Sequence, residues 1–183
     1  MNSEISSGSY MHFTKFFVEG CNELWYLEHL HDNGYITKKV PKTCNTNGIA
    51  HMKVSLKDYL SNNSSARVFL IFDMDCKKGQ QLYEKYKTNK RIIMCESKPS
   101  FEFWLSIHLT DDIMTDRTKI ENYLKQTVGW EKGEENFKKC LLQIVGSNFE
   151  EVKEKVDNAI ETANSLNQKS SYSNVPKAIN GLK

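Results

Sequence analysis

Asp73 and Asp75 stand directly after the apolar run Val68-Phe69-Leu70-Ile71-Phe72, with only Met74 between them. In extended backbone, side chains alternate between faces, so both carboxylates project to one side and Met74 to the other. Two negative charges that close repel one another unless a cation lies between them, and hard divalent cations take oxygen ligands of this kind. A third carboxylate, Glu19, follows a second short apolar run and precedes Gly20, again where a strand would end. The competing reading is a turn, where aspartate is common because its side chain bonds nearby backbone. Three carboxylates from two strands on one rim favour the metal, since a sheet edge needs no acidic cluster for its stability.

Acids placed this way need rigid strands behind them. The unbroken run from Val68 to Phe72 reads as a strand covered on both faces, not one alternating between core and water. Before it, residues 1–12 read as a disordered start and Phe13 to Val18 as a first strand. Asn22 is placed to cap a helix carrying Leu24, Trp25, Leu27 and Leu30, which Asn33-Gly34 stops. Tyr35 to Val40 reads as a second strand, Pro41 to Gly48 as a loop and Ile49 to Leu60 as a helix. After the aspartates come a helix over Gln80 to Thr88 and a strand over Arg91 to Cys95. Strands alternating with helices predict an α/β fold with a mainly parallel sheet and its functional crevice outside the strands' carboxyl ends.

A further helix is expected from Phe101 to Leu109, with Pro99 suited to its first turn and Glu102 near its positive end. There Glu102 reads either as a surface carboxylate stabilised by the helix dipole or as a fourth acid at the rim. His108, on the apolar stripe, reads as a packed histidine. Arg117 to Thr127, Glu134 to Val145 and Phe149 to Leu166 follow as three helices, then a Ser/Asn-rich link and a tail from Val175 to Lys183. The division expected is a core over residues 13–110 and a helical extension over 111–183 packed upon it.

The 183 residues suit one domain with a buried core, and 39% hydrophobic with 26% charged content is ordinary for a soluble protein. No apolar run approaches the roughly 18 residues of a membrane span, and Met1 to Gly8 is too polar for a signal peptide. Five scattered cysteines without a CxxC pair fit free thiols in a reducing cytoplasm. A net charge of +2 does not by itself announce a nucleic-acid binder. Lys77, Lys78, Lys85, Lys87, Lys90 and Arg91 nevertheless crowd the stretch after the aspartates, as a solvated helix face or an anion-binding surface.

In the order of its motifs the chain resembles the RloB family, a Toprim-type group of bacterial defence loci, nearly from end to end. The opening motif stands as Phe17-Val18-Glu19-Gly20-Cys21-Asn22-Glu23-Leu24-Trp25-Tyr26, with Asn22 where the family commonly has Thr, and the second as Phe72-Asp73-Met74-Asp75. The third is Ser97-Lys98-Pro99-Ser100-Phe101-Glu102-Phe103-Trp104 through His108, with Lys98 in place of the usual Asn and Ser100 where Cys is frequent. The tail is similar to the family's ending. The resemblance implies a Toprim-like sheet that binds Mg²⁺ or Mn²⁺ and hydrolyses a phosphodiester of DNA or RNA, tRNA among the candidates, as the effector of an anti-phage system. Asp73 and Asp75 would hold the metal, Glu19 would complete its shell or take a proton from the attacking water, Glu102 would join these three as a catalytic residue, and Lys77, Lys78 and Lys98 would grip the scissile phosphate. Because no GxxxxGK[ST] loop is present, any ATP dependence belongs to a separately encoded ATPase partner.

Two other classes compete. Leu70-Ile71-Phe72-Asp73-Met74-Asp75 also resembles the first motif of haloacid-dehalogenase phosphatases, in which the first aspartate is a nucleophile. That reading leaves Glu19-Gly20 unexplained. A non-catalytic regulator of the same fold is the other. Cys21, Cys76 and Cys95 near strand ends follow no zinc-ligand spacing and read as small buried thiols.

Overall fold

Five consecutive buried residues, Val68 to Phe72, leave the second strand no polar face, so the chain can shield it only by placing elements above and below. The computed structural model describes residues 14–40, 48–131, 133–166 and 170–183. The disordered start expected over residues 1–12, Phe13, and residues 41–47 of the loop expected from Pro41 to Gly48 lie outside the described residues, and Gly48 itself opens a helix. The elements run β1 (Thr14–Val18), α1 (Cys21–Asp32), α2 (Gly48–Asn62), β2 (Arg67–Asp73), α3 (Lys77–Tyr86), β3 (Ile92–Lys98) and α4 (Phe101–Ser106). They continue as α5 (Arg117–Val128), α6 (Glu134–Ile144), α7 (Phe149–Ser165), β4 (Tyr172–Ser173) and α8 (Val175–Leu182).

The four strands lie in the order β1-β2-β3-β4, with the first three parallel and β4 antiparallel beside the end of β3. Alternation divides the strand residues between two cores. Phe16, Val18, Phe69, Ile71 and Cys95 face one core, built with α1, α4 to α8 and the aromatic residues Tyr26, Phe101 and Trp104. Phe17, Val68, Leu70, Phe72, Ile92 and Met94 face a smaller one with α2 and α3. The first core is continuous across residue 110, since Ile120, Leu124, Phe137 and Val156 pack with Leu27, Trp104 and Leu105.

Two glycines permit close approaches. A Cβ on Gly79 would stand 2.1 Å from the Asp73 carbonyl oxygen, so α3 can lie against the end of β2 only because residue 79 has no side chain. A Cβ on Gly181 would stand 2.3 Å from the Phe69 ring, which is itself stacked on Phe16 at 4.7 Å.

Three expectations are corrected. Tyr35 to Val40 is buried in part but forms no strand: the Thr37 and Lys38 N–H groups donate to the Leu182 carbonyl, so α8 satisfies backbone that a sheet neighbour would otherwise have met. Gly20, not Asn22, is the N-cap of α1. The Ser/Asn-rich link supplies β4 ahead of the tail helix, because Ser173 and Tyr172 pair with Ser97 and Lys98. No described helix is long and apolar enough to cross a membrane.

Candidate functional site

β1 and β2 run parallel with Val18 beside Ile71, so β1 ends where β2 still has Phe72 and Asp73 to run. Glu19 therefore emerges next to Asp73, and its Oε2 accepts the Asp73 N–H at 3.0 Å. β3 ends one strand over and turns through Pro99 into α4, whose Phe101 N–H donates to Asp73 Oδ1 at 2.7 Å. The next residue, Glu102, is 6% exposed and points inward, which removes it from the surface-carboxylate reading. Glu23, in the first turn of α1, is 5% exposed and folds back over Gly20. Glu19, Glu23, Asp73 and Glu102 thus line one hollow of about 230 Å³ with Gly20, Cys21, Asn22 and Phe101.

Burial and mutual repulsion raise the pKa values of three of these carboxyls, Glu19, Glu23 and Asp73. Burial pushes Glu23 up to about 8, with Glu102 and Glu19 adding to it and the backbone N–H groups of residues 20 and 23 working against it. Asp73 is raised well above the usual carboxylate range, by burial first and then by Glu23, Glu102, Glu19 and Asp75. Glu19 is raised chiefly by burial, against the Asp73 N–H bond that lowers it. Glu102 Oε2 is buried with no hydrogen-bond partner among the described residues.

Asp75 does not line the hollow. Strand geometry ends at Asp73 and the chain bends over residues 74–76, so the alternation that would have aligned the two aspartates no longer applies. The Asp75 carboxylate is paired instead with Arg117 at the start of α5, whose Nε also bonds Glu121 Oε1 at 2.7 Å. Partial burial works against the Arg117 charge, but the Glu121 bond and the fields of Glu102 and Asp75 outweigh it and raise its pKa. Lys77 and Lys78 open α3 on the surface, Lys98 closes β3, and none of the three lines the hollow. His108 is packed between Tyr26 and Trp104, its Nδ1 toward the Trp104 carbonyl at 2.8 Å, and burial pushes it down to about 4.

Sequence reasoning assigned no role to Glu23 or Arg117. Glu23 occupies the third helical position after Gly20, where a glutamate ordinarily reads as a capping carboxylate. Arg117 is 42 residues from Asp75 and no local signal joins them.

The sequence model of the RloB-like protein family matches residues 16–182. The chain belongs to the RloB-like family. The match spans every site residue named above and runs through β4 into α8. Comparison with curated proteins and with solved structures returns no match.

Among the described residues, no three acidic, histidine or cysteine side chains converge closely enough to enclose a metal ion as they stand. The donor chemistry of the hollow nonetheless fits a hard divalent cation: four carboxyl groups, pKa values raised at Glu19, Glu23 and Asp73, and a buried Glu102 oxygen lacking a donor among those residues.

Proposed function

We propose that this RloB-like protein is a metal-dependent nuclease whose centre is the hollow at the carboxyl edge of the sheet. One observation carries the reading: four carboxylates share a small cavity that, among the described residues, no cationic side chain lines. A purely structural acid cluster would be costly, because each buried carboxyl meets the charge of its neighbours. Glu19, Asp73 and Glu102 would hold Mg²⁺ or Mn²⁺, with Glu23 beside them and Asp75 within reach once released from Arg117. Such a cation supplies Lewis-acid activation of a water and of the phosphate.

The chain's own groups do the rest. The Asp73 N–H fixes Glu19, which would either complete the metal's shell or take a proton from the attacking water. The Phe101 N–H fixes Asp73, so α4 and β2 set the spacing of the acids together. Lys77, Lys78 and Lys98 serve as the outlying cations that grip the nucleic-acid backbone. Service as a cytoplasmic defence effector beside a separately encoded ATPase belongs to the same proposal.

The test is Asp73→Asn, which keeps the acceptor for the Phe101 N–H and removes one charge. Mn²⁺ is expected to raise the melting temperature of the native protein by mass action and to leave the variant little changed. Cleavage of labelled single-stranded DNA, duplex DNA and total tRNA, with the ATPase supplied, is expected to fall by about 1,000-fold or more. Equal Mn²⁺ shifts in both proteins, or undiminished cleavage by the variant, would overturn the assignment.

A further inference from the structure

β3 carries β4 on its outer side only at Ser97 and Lys98. The Asn174 N–H then takes the Glu96 carbonyl at 2.9 Å and the chain turns away as α8. Among the described residues this leaves Ile92 to Cys95 without a strand on that side. The Val68 N–H reaches the Arg91 carbonyl, so the odd-numbered carbonyls of β3 face β2, and Asn174 shows that the even-numbered groups face outward. The Met94 N–H and carbonyl and the Ile92 carbonyl therefore open onto a groove of about 400 Å³ along this edge.

Arg67, Lys87, Lys90 and Lys177 line that groove, from β2, the end of α3, the loop before β3, and α8. Tyr83 lines it too, while Glu96 is buried and gives one oxygen to Asn174 Nδ2 at 2.9 Å. We propose that this open edge takes up an acidic, extended segment of a partner protein as an added strand of about four residues, paired to β3 and flanked by the four cations.

The backbone decides between occupants. An unpaired edge offers alternating donors and acceptors at strand spacing, and a peptide strand answers both, whereas a DNA backbone accepts only and RNA adds a donor solely at its 2′-hydroxyl. A second copy of β3 would bring two sets of lysines together, so the charge opposes self-pairing. Lysines on an edge also guard strands against aggregation, but a guard sits on the strand itself. Here the edge residues Ile92, Ile93, Met94 and Cys95 carry no charge, and the cations stand around the groove that Ile92, Ile93 and Met94 line. The inference is independent of the acid hollow.

The probes are seven-residue peptides of alternating glutamate and valine, the same peptide with lysine for glutamate, and the acidic peptide methylated on alternate amide nitrogens. Titrated into the full chain, the acidic peptide is expected to bind about tenfold or more tightly than the lysine peptide, and methylation should abolish its binding. Hydrogen exchange at the Met94 amide should slow on binding. Lys87→Glu combined with Lys90→Glu, both at exposed positions, should reverse the preference while leaving the melting temperature near that of the native chain. The proposal is overturned if no peptide binds at millimolar concentration, if acidic and lysine peptides bind alike, or if methylation changes nothing. It is equally overturned if single-stranded oligothymidine, and no peptide, occupies the groove in a way the charge reversal abolishes.

Discussion

The two ends of the sheet treat charge in opposite ways. Where β2 and β3 begin, Arg91 donates to the Leu60, Asn63 and Ala66 carbonyls at 2.9, 2.8 and 3.2 Å. Its backbone N–H is met by Asn89 Oδ1 at 3.0 Å. One cation there ties the end of α2 to the start of two strands. Where the strands end, four carboxyls share a hollow, burial raises the pKa values of Glu19, Glu23 and Asp73, and a Glu102 oxygen lacks a donor among the described residues. Charge that serves the fold is answered by the fold itself. Charge left unanswered in a cavity calls for something from outside the chain.

The largest blow to this contrast is Gly79→Ala, which would damage fold and site at once. The added Cβ meets the Asp73 carbonyl, a backbone atom that cannot swing away, and either α3 or the end of β2 must shift. A loss of about 3 kcal/mol in chemical denaturation, together with loss of Mn²⁺ binding in the remaining folded protein, is the expected result. Next comes Arg91→Met, which leaves three carbonyls without a charged donor and should cost about 2–3 kcal/mol. Calorimetry on the folded variant should find Mn²⁺ affinity unchanged, because the damage is confined to the other end of the sheet.

Acid–base linkage gives a smaller effect of definite sign. Glu23 titrates near 4.5 ordinarily and near 8 in the fold, so between those values the folded chain keeps a proton that the unfolded chain has lost. Metal-free stability should therefore fall, by about 1–2 kcal/mol, as pH rises from about 5 to 8. Glu23→Gln should flatten that slope, and saturating Mn²⁺ should offset the loss. A stability that rises with pH over this window in the metal-free protein would contradict the burial of these acids.

The smallest stability change is expected from Arg117→Ala. The ion pairs with Asp75 and Glu121 are half open to water, and removing them should alter unfolding by no more than about 0.5 kcal/mol. Freed from its partner, Asp75 becomes available to the hollow, and Mn²⁺ affinity should rise several-fold by calorimetry. Unaltered affinity would place Asp75 outside the centre altogether.

Much of this was legible before any coordinates, for reasons of local physics. An apolar run closed by carboxylates reads as a buried strand reaching a rim once a second strand brings Glu19 to the same edge, and Glu19, Asp73 and Glu102 meet there because β1, β2 and β3 run parallel. The three helices after Arg117 followed from their apolar spacing, with ends displaced by a residue. Tyr35 to Val40 misled because its apolar ends read as a strand, whereas Tyr35, Ile36 and Val40 are buried around three exposed residues and its hydrogen bonds go to the far end of the chain. Asp75 misled because period-2 reasoning fails once a strand has ended. Neither the Leu182 carbonyl nor Arg117 has any signature near the residue it captures.

The clasp between β4 and the end of β3 sets an order of events during synthesis. The Ser97 and Ser173 hydroxyls meet at 3.0 Å although 76 positions separate them along the chain, and Glu96 meets Asn174 across 78. The turn from β3 into α4 that delivers Glu102 is therefore fastened by chain that leaves the ribosome long after the acids themselves. A nascent chain carries all four carboxyls before it has the means to hold them in place. A destructive activity seated in that hollow would stay silent through translation and begin only when the late segment docks.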